Sequence, residues 1–194
     1  MTKILIIAGS TRPNRFNLQP ATWIYEHAKK RTDIEVELVD LLELNLPFLD
    51  EPSSAMASSD YTKDHTKAWS KKVAEADGFI FVTPEYNHSY SPALKNAIDF
   101  LYHEWKYKPV SYISYGSLAG GARAVEHLRG VAAQVKMFDL YETVMLSNYW
   151  ENLDDKGQYK FNEHQEHGAT VMLDALTFWA TKVKPAREEL AKQA

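Results

Sequence analysis

Gly78-Phe79-Ile80-Phe81-Val82-Thr83 runs without a charge into Pro84-Glu85-Tyr86-Asn87. An apolar run this short, closed by a proline and a turn-forming asparagine, predicts a central β-strand buried on both faces. The residues after it leave the sheet at the strand's carboxyl end, where open parallel sheets place their ligands.

Reading outward, Lys3 to Ala8 is a second uncharged run after its lysine and stops at Gly9. Glu35 to Asp40 alternates acidic and aliphatic residues, as a strand near a sheet edge does. Val110 to Tyr115 and Tyr141 to Leu146 complete five strands. Helices are expected over Asn17 to Lys30, with Pro20 in the first turn, and over Tyr61 to Ala76, where Trp69 and Val73 share a face. Ser91-Pro92 sets a cap and first-position proline before a helix through Leu94, Ala97, Ile98 and Leu101. Gly121 to Ala133 and Glu163 to Lys182 supply the last two, and the charged tail from Pro185 either frays or continues the helix. Asn45 to Asp60, with Pro47, Pro52 and four serines, reads as a surface loop. Asp154-Asp155-Lys156-Gly157 reads as a turn.

Strands alternating with helices imply an α/β three-layer sandwich, a five-stranded parallel sheet with helices on both faces and right-handed crossovers. The expected order is 2-1-3-4-5, with strands one and three adjacent at the topological switch. The loops starting at Gly9, Thr83 and Gly116 should then form one cleft.

The 194 residues fit one domain spanning 1–194. Hydrophobic residues make up 45% and charged residues 25%, and the net charge of −4 offers nothing to nucleic acid or an anionic membrane. The chain has no cysteine. That excludes disulfides, thiolate nucleophiles and thiolate-ligated metals, and suits a reducing cytoplasm. The apolar run Ile4 to Ala8 is too short to span a membrane.

Three loops carry candidate chemistry. Gly9 to Asn17 turns sharply and feeds a helix N-terminus, where free amides favour an anion. Ser10, Thr11 and Asn17 can donate to phosphate oxygens, and Arg12 and Arg15 can neutralise charge. A polar strand-to-helix turn with surface arginines has the same composition. The loop matches neither the Walker pattern nor the three-glycine dinucleotide fingerprint. A helix N-terminus contributes ~0.3–2 kcal/mol to an anion and a charged hydrogen bond ~1.5–3. Nanomolar binding needs about 12, so another surface must hold the rest of the ligand. In the second loop Pro84 stiffens the strand exit, Tyr86 offers a ring to a planar ligand, and Asn87 with the amides after it can bond ring heteroatoms. In the third, Tyr115 to Arg123, the glycines at 116, 120 and 121 permit close backbone approach around Ser117. That serine is misplaced for a nucleophile elbow. Packing and ordinary turn geometry are the alternatives for both loops.

These residues resemble the flavodoxin-like NAD(P)H-dependent FMN reductases, which include quinone, azo-dye and chromate reductases. The likeness rests on Gly9-Ser10-Thr11-Arg12-Pro13 with Arg15, on Thr83 to Asn87 continuing to Leu94-Lys95-Asn96-Ala97-Ile98-Asp99, and on Gly120-Gly121-Ala122-Arg123-Ala124. Glu104-Trp105 and Lys108-Pro109 also fit, whereas Asn14 stands where many relatives have glycine. The resemblance implies a non-covalent FMN, with its phosphate on Ser10, Arg12, Arg15 and Asn17. Its ring would lie against Pro84, Glu85, Tyr86 and Asn87 and against Tyr115, Gly116, Ser117, Gly120 and Gly121. It implies NADPH or NADH as co-substrate, a small acceptor (quinone, free flavin, azo compound or metal oxyanion), and a homodimer or homotetramer. The helix from Pro92 to Leu101 and the aromatics Tyr102, Trp105 and Tyr107 are candidates for the subunit interface, with core packing as the other role for the aromatics. A flavodoxin-type electron carrier or a redox-sensing flavin-binding module shares the same fold and cofactor. No catalytic side chain or metal ligand set is required by this reading. His164 and His167 stand three apart on a predicted helix without a third ligand, His127 falls on a helix surface, and His88 lies in the ring-binding loop.

Overall fold

The computed structural model describes residues 1–193. Five strands form one parallel sheet in the order β2-β1-β3-β4-β5. They are β1 (Thr2–Ala8), β2 (Ile34–Asp40), β3 (Gly78–Pro84), β4 (Pro109–Tyr115) and β5 (Phe138–Leu146). Every residue of β3 and β4 is buried, as expected for strands covered on both sides by crossover helices.

Alternate side chains of the sheet enter two separate cores. Leu5, Ile7, Phe79 and Phe81 pack against α3 (Asp64–Glu75), α4 (Pro92–Asp99) and α5 (Ala122–Gln134). Ile4, Ile6, Ile80 and Val82 pack against α1 (Leu18–Lys29) and α6 (Glu163–Gln193). The period of two along each strand thus produces the three layers.

Helix starts follow local chemistry. Ser91 caps α4, its hydroxyl accepting from the Leu94 amide at 3.1 Å and donating to the Gly9 carbonyl, with Pro92 in the first turn. The α5 start needs Gly121 at φ +88°, where an added Cβ would lie 2.7 Å from the Ser114 Cβ.

Two features depart from the sequence reading, and two more decide between alternatives it left open. A short helix, α2 (Leu41–Leu44), follows β2, capped by the Asp40 side chain, which accepts from the Leu42 amide. Strand β5 begins at Phe138, three residues before the predicted start, on an exposed edge with a register shift between Val110 and Tyr112. Helix α6 runs through Pro185 to Gln193. Its distal part is anchored at Asp77, 4% exposed, which accepts from Lys184 at 2.8 Å and Arg187 at 2.5 Å. Finally, Trp105 is no interface residue. Its ring is fully buried against Trp69, Phe79 and Phe81, and its indole N–H donates to the Ile98 carbonyl at 3.1 Å. An indole with its polar end satisfied is a stable core filling.

Candidate functional site

The loop after β1 turns at Gly9, whose amide donates to the Val82 carbonyl at 2.8 Å. A Cβ there would come within 2.9 Å of that same oxygen, so only glycine lets β1 and β3 lie this close at their carboxyl ends. Asn17 then braces the loop. Its side-chain carbonyl accepts from the Ser10 amide at 3.3 Å and its NH₂ donates to Val82 O at 2.9 Å. Between these anchors the amides of Thr11, Asn14, Arg15 and Asn17 have no intramolecular acceptor among the described residues. They stand at the N-terminus of the twelve-residue α1, where the helix dipole favours negative charge.

The loop after β3 is a tight reversal. Tyr86 and Ser89 exchange backbone hydrogen bonds of 2.7 and 3.0 Å. The two central residues, Asn87 and His88, have φ of 49° and 69°, the positive values a type I′ turn requires. The Tyr86 phenol meets the Ser10 hydroxyl at 3.0 Å. Glu85 sends its carboxylate the other way, accepting from the Arg123 amide at 3.2 Å and the Arg123 guanidinium at 2.5 Å. It thereby satisfies a free donor in the first turn of α5.

The loop after β4 closes the third side. Gly116 faces the Glu85 Cβ and the Gly121 amide, which an added Cβ would meet at 3.4 and 3.3 Å. Tyr115 is buried, and that burial, then the neighbouring Tyr86, pushes its phenol above its ordinary range. It therefore stays neutral and remains a hydrogen-bond donor.

A fourth wall was absent from the sequence reading. After β5, a 3₁₀ turn from Tyr149 to Asn152 brings two aromatics to the cleft. Tyr149 stacks on Phe16 with centroids 4.2 Å apart, and Trp150 packs edge-on to Tyr149 at 5.4 Å. Trp150 remains half exposed. The one signal for them is an aromatic pair following the last strand.

Together these segments enclose about 480 Å³, within the range of small-molecule sites. The anticipated cleft therefore exists, and it joins the ends of β1, β3 and β4. Arg12, Arg15, Pro84, Glu85, Tyr86, Tyr115, Gly116 and Ser117 line it. The other expected residues stand behind or beside it. Ser10 and Asn17 are buried beneath the first loop, and Gly120 and Gly121 are buried behind the third. Asn87 is exposed at the turn tip. Arg12 is exposed, while Arg15 is paired with Asp40 and keeps a buried Nε without an acceptor. The amides of Glu85, Tyr86 and Gly116 are already committed to Tyr115, Ser89 and Leu146 carbonyls. Polar contacts to a ring thus fall to Asn87 onward and to Ser117 onward.

These features fit a phosphorylated planar ligand. A cradle of unpaired amides with Arg12 suits the phosphate, and the pinched glycine at 116 with flanking aromatics suits a flat ring. His88 is exposed in the turn, and His127 lies on the α5 surface with its Nδ1 3.1 Å from the Ser89 hydroxyl.

The chain is similar to known proteins. The chain is 48% identical over 136 residues to an NAD(P)H-dependent FMN reductase of Schizosaccharomyces pombe, covering 70% of this chain and 68% of that one. It is 30% identical over 187 residues to a 2-hydroxy-1,4-benzoquinone reductase of a Burkholderia species, covering 91% and 95%. Its fold superposes on the flavoenzyme NAD(P)H:(acceptor) oxidoreductase of Paracoccus denitrificans with a TM-score of 0.72 at 21% identity, covering 94% and 98%. Residues 2–151 match the family described as NADPH-dependent FMN reductase. With its flavodoxin-like sheet order and its cleft at the strand ends, this chain belongs to the NADPH-dependent FMN reductase family.

Proposed function

We infer that the protein is an NAD(P)H-dependent oxidoreductase that works through bound FMN on a small acceptor. The observation that carries this is the union of an amide cradle at the α1 N-terminus with an open, aromatic-walled cleft at the ends of β1, β3 and β4. FMN bound there would supply the redox chemistry, taking a hydride from NAD(P)H and passing two electrons to the acceptor.

The chain's own residues bind and orient. The free amides from Thr11 to Asn17 and the Arg12 guanidinium hold the phosphate. Asn17 and the Ser10–Tyr86 hydrogen bond keep the cradle at a fixed distance from the β3 loop. Pro84, Tyr86 and Gly116 bound the ring, with donors from Asn87 onward and Ser117 onward at its polar edge. The neutral Tyr115 phenol beneath them adds no charge. No side chain is assigned as an obligatory acid or base.

Quinones are the acceptor class favoured here, because a relative that this chain matches over nearly its whole length is named a 2-hydroxy-1,4-benzoquinone reductase. A cytoplasmic homodimer or homotetramer belongs to the same reading. Support for assembly comes from beside the cleft, where Leu42 and Phe48, exposed by 44% and 87%, flank Pro92 and Ala93 of α4. Among the described residues no helix is long and apolar enough to cross a membrane.

The test is the visible spectrum of purified protein with FMN. Flavin absorbance that NADPH or NADH bleaches, and that a benzoquinone restores, is the expected result. Protein that stays colourless after FMN addition overturns the reading.

A further inference from the structure

The opposite pole of the molecule holds a larger cavity, about 810 Å³, between α3, the segment before β4 and the distal part of α6. Four nitrogenous side chains line it: His103, Lys106, Lys108 and Arg187. One carboxylate, Glu104, also lines it, and both its oxygens are occupied, by the Ser70 hydroxyl at 2.6 Å and the Tyr61 phenol at 3.1 Å. Asp77 behind it is likewise engaged, by Arg187, Lys184 and the Lys3 amide.

Donors therefore outnumber acceptors. Arg187 gives one Nη to Asp77, while its other, Nη1, is buried without a partner. Lys108 is 4% exposed, and its ammonium donates to the Val73 and Ala74 carbonyls at 2.8 and 3.0 Å. Capping the α3 C-terminus accounts for those two bonds. It leaves a third N–H without an acceptor, the ammonium lying 5.6 Å from the Phe79 ring centroid, and it does not explain the idle Arg187 nitrogen. Burial, then the Arg187 charge, lowers the Lys108 ammonium to about 7. A guanidinium and a half-protonated lysine held together with spare donors, beside carboxylates that already accept from other groups, form a site that an oxyanion would complete.

We propose that this cavity is a second ligand site, for a phosphate-class oxyanion held between Lys108 and Arg187. A bare oxyanion leaves most of the volume empty, and Tyr107 and Leu190 offer apolar wall. The ligand is accordingly a phosphate monoester with a small organic body. The site lies at the amino ends of the strands and does not depend on the flavin reading.

The test uses purified protein saturated with FMN, so that the amide cradle of the cleft is filled. Inorganic phosphate is titrated calorimetrically against chloride at matched ionic strength. Saturable binding is expected with a dissociation constant on the order of 1 mM, which two charge-assisted hydrogen bonds can support. Arg187→Lys keeps a donor for Asp77 but removes Nη1, and Lys108→Met removes the ammonium. Each should weaken phosphate binding about tenfold or more. Should Lys108→Met not fold, Arg187→Lys decides, together with a measurement on the unaltered protein. In that measurement phosphate should slow acetylation of Lys106 relative to exposed Lys182, read by mass spectrometry. No saturable binding, or unchanged binding in Arg187→Lys with Lys106 unshielded, overturns the site. Phenyl phosphate should bind more tightly than inorganic phosphate, and equal affinity overturns the organic body.

Discussion

The Ser10 hydroxyl and the Tyr86 phenol lie 3.0 Å apart, joining the loop after β1 to the loop after β3 across the topological switch. Tyr86→Phe retains the ring and removes this bond. A neutral hydrogen bond contributes about 1 kcal/mol, so urea unfolding should show a loss of that size. FMN should dissociate faster, because the phosphate cradle and the ring wall are no longer tied. An unchanged midpoint and an unchanged off-rate would show that the tie has no role.

Gly9 permits the close approach of β1 to β3 beneath the cleft. An alanine Cβ would sit 2.9 Å from the Val82 carbonyl and 3.3 Å from the Leu94 Cβ. Neither neighbour can swing aside, since one is sheet backbone and the other a buried helix residue. Gly9→Ala should cost about 1–3 kcal/mol by overpacking, measurable by thermal melting. It should also reduce the FMN that copurifies.

Glu85 lines the cleft and also ties it to α5. Its carboxylate joins the β3 exit to the Arg123 amide and guanidinium. The Arg123 side chain is 42% exposed, so solvent screening limits the ion pair. Glu85→Ala should therefore lose only about 1 kcal/mol of stability. Hydrogen exchange should rise at the amides of the first α5 turn and stay unchanged in α3.

Lys108 makes a pH-dependent prediction. Its ammonium is lowered to about 7 in the folded chain, against 10.5 when unfolded. Between those values the unfolded chain carries a proton that the folded chain lacks, so stability rises with pH across that window. The slope is at most about 1.4 kcal/mol per pH unit. Comparing denaturation midpoints of wild type and Lys108→Met at pH 7, 8 and 9 isolates it. Equal slopes for the two proteins would count against a neutral folded-state lysine.

How much could be read without coordinates follows from where each signal lies. The buried strands, their order and the Ser91-Pro92 helix start were legible because apolar runs and capping chemistry are local. The exposed beginning of β5 was not, since Phe138 and Tyr141 face solvent and break the expected alternation. The path of α6 through Pro185 depends on Asp77, more than a hundred residues away in the chain. Within the cleft, composition placed Arg15 and Asn17 in the right loop but could not reveal their partners, Asp40 and the Val82 carbonyl. Tyr149 and Trp150 carry no phosphate-loop or glycine signature, so only the fold brings them to the cleft.

The sheet also partitions the consequences of mutation. Ile80 and Phe81 are consecutive, yet one belongs to the core under α1 and α6 and the other to the core under α3, α4 and α5. Truncating either to alanine should cost about 2–5 kcal/mol. Because they belong to separate clusters the losses should add in the double variant, a test of independence at a spacing shorter than the ~7–10 Å beyond which additivity is the rule. Evolutionary change on one side of the sheet can thus proceed without compensation on the other, although the two residues are separated by a single peptide bond.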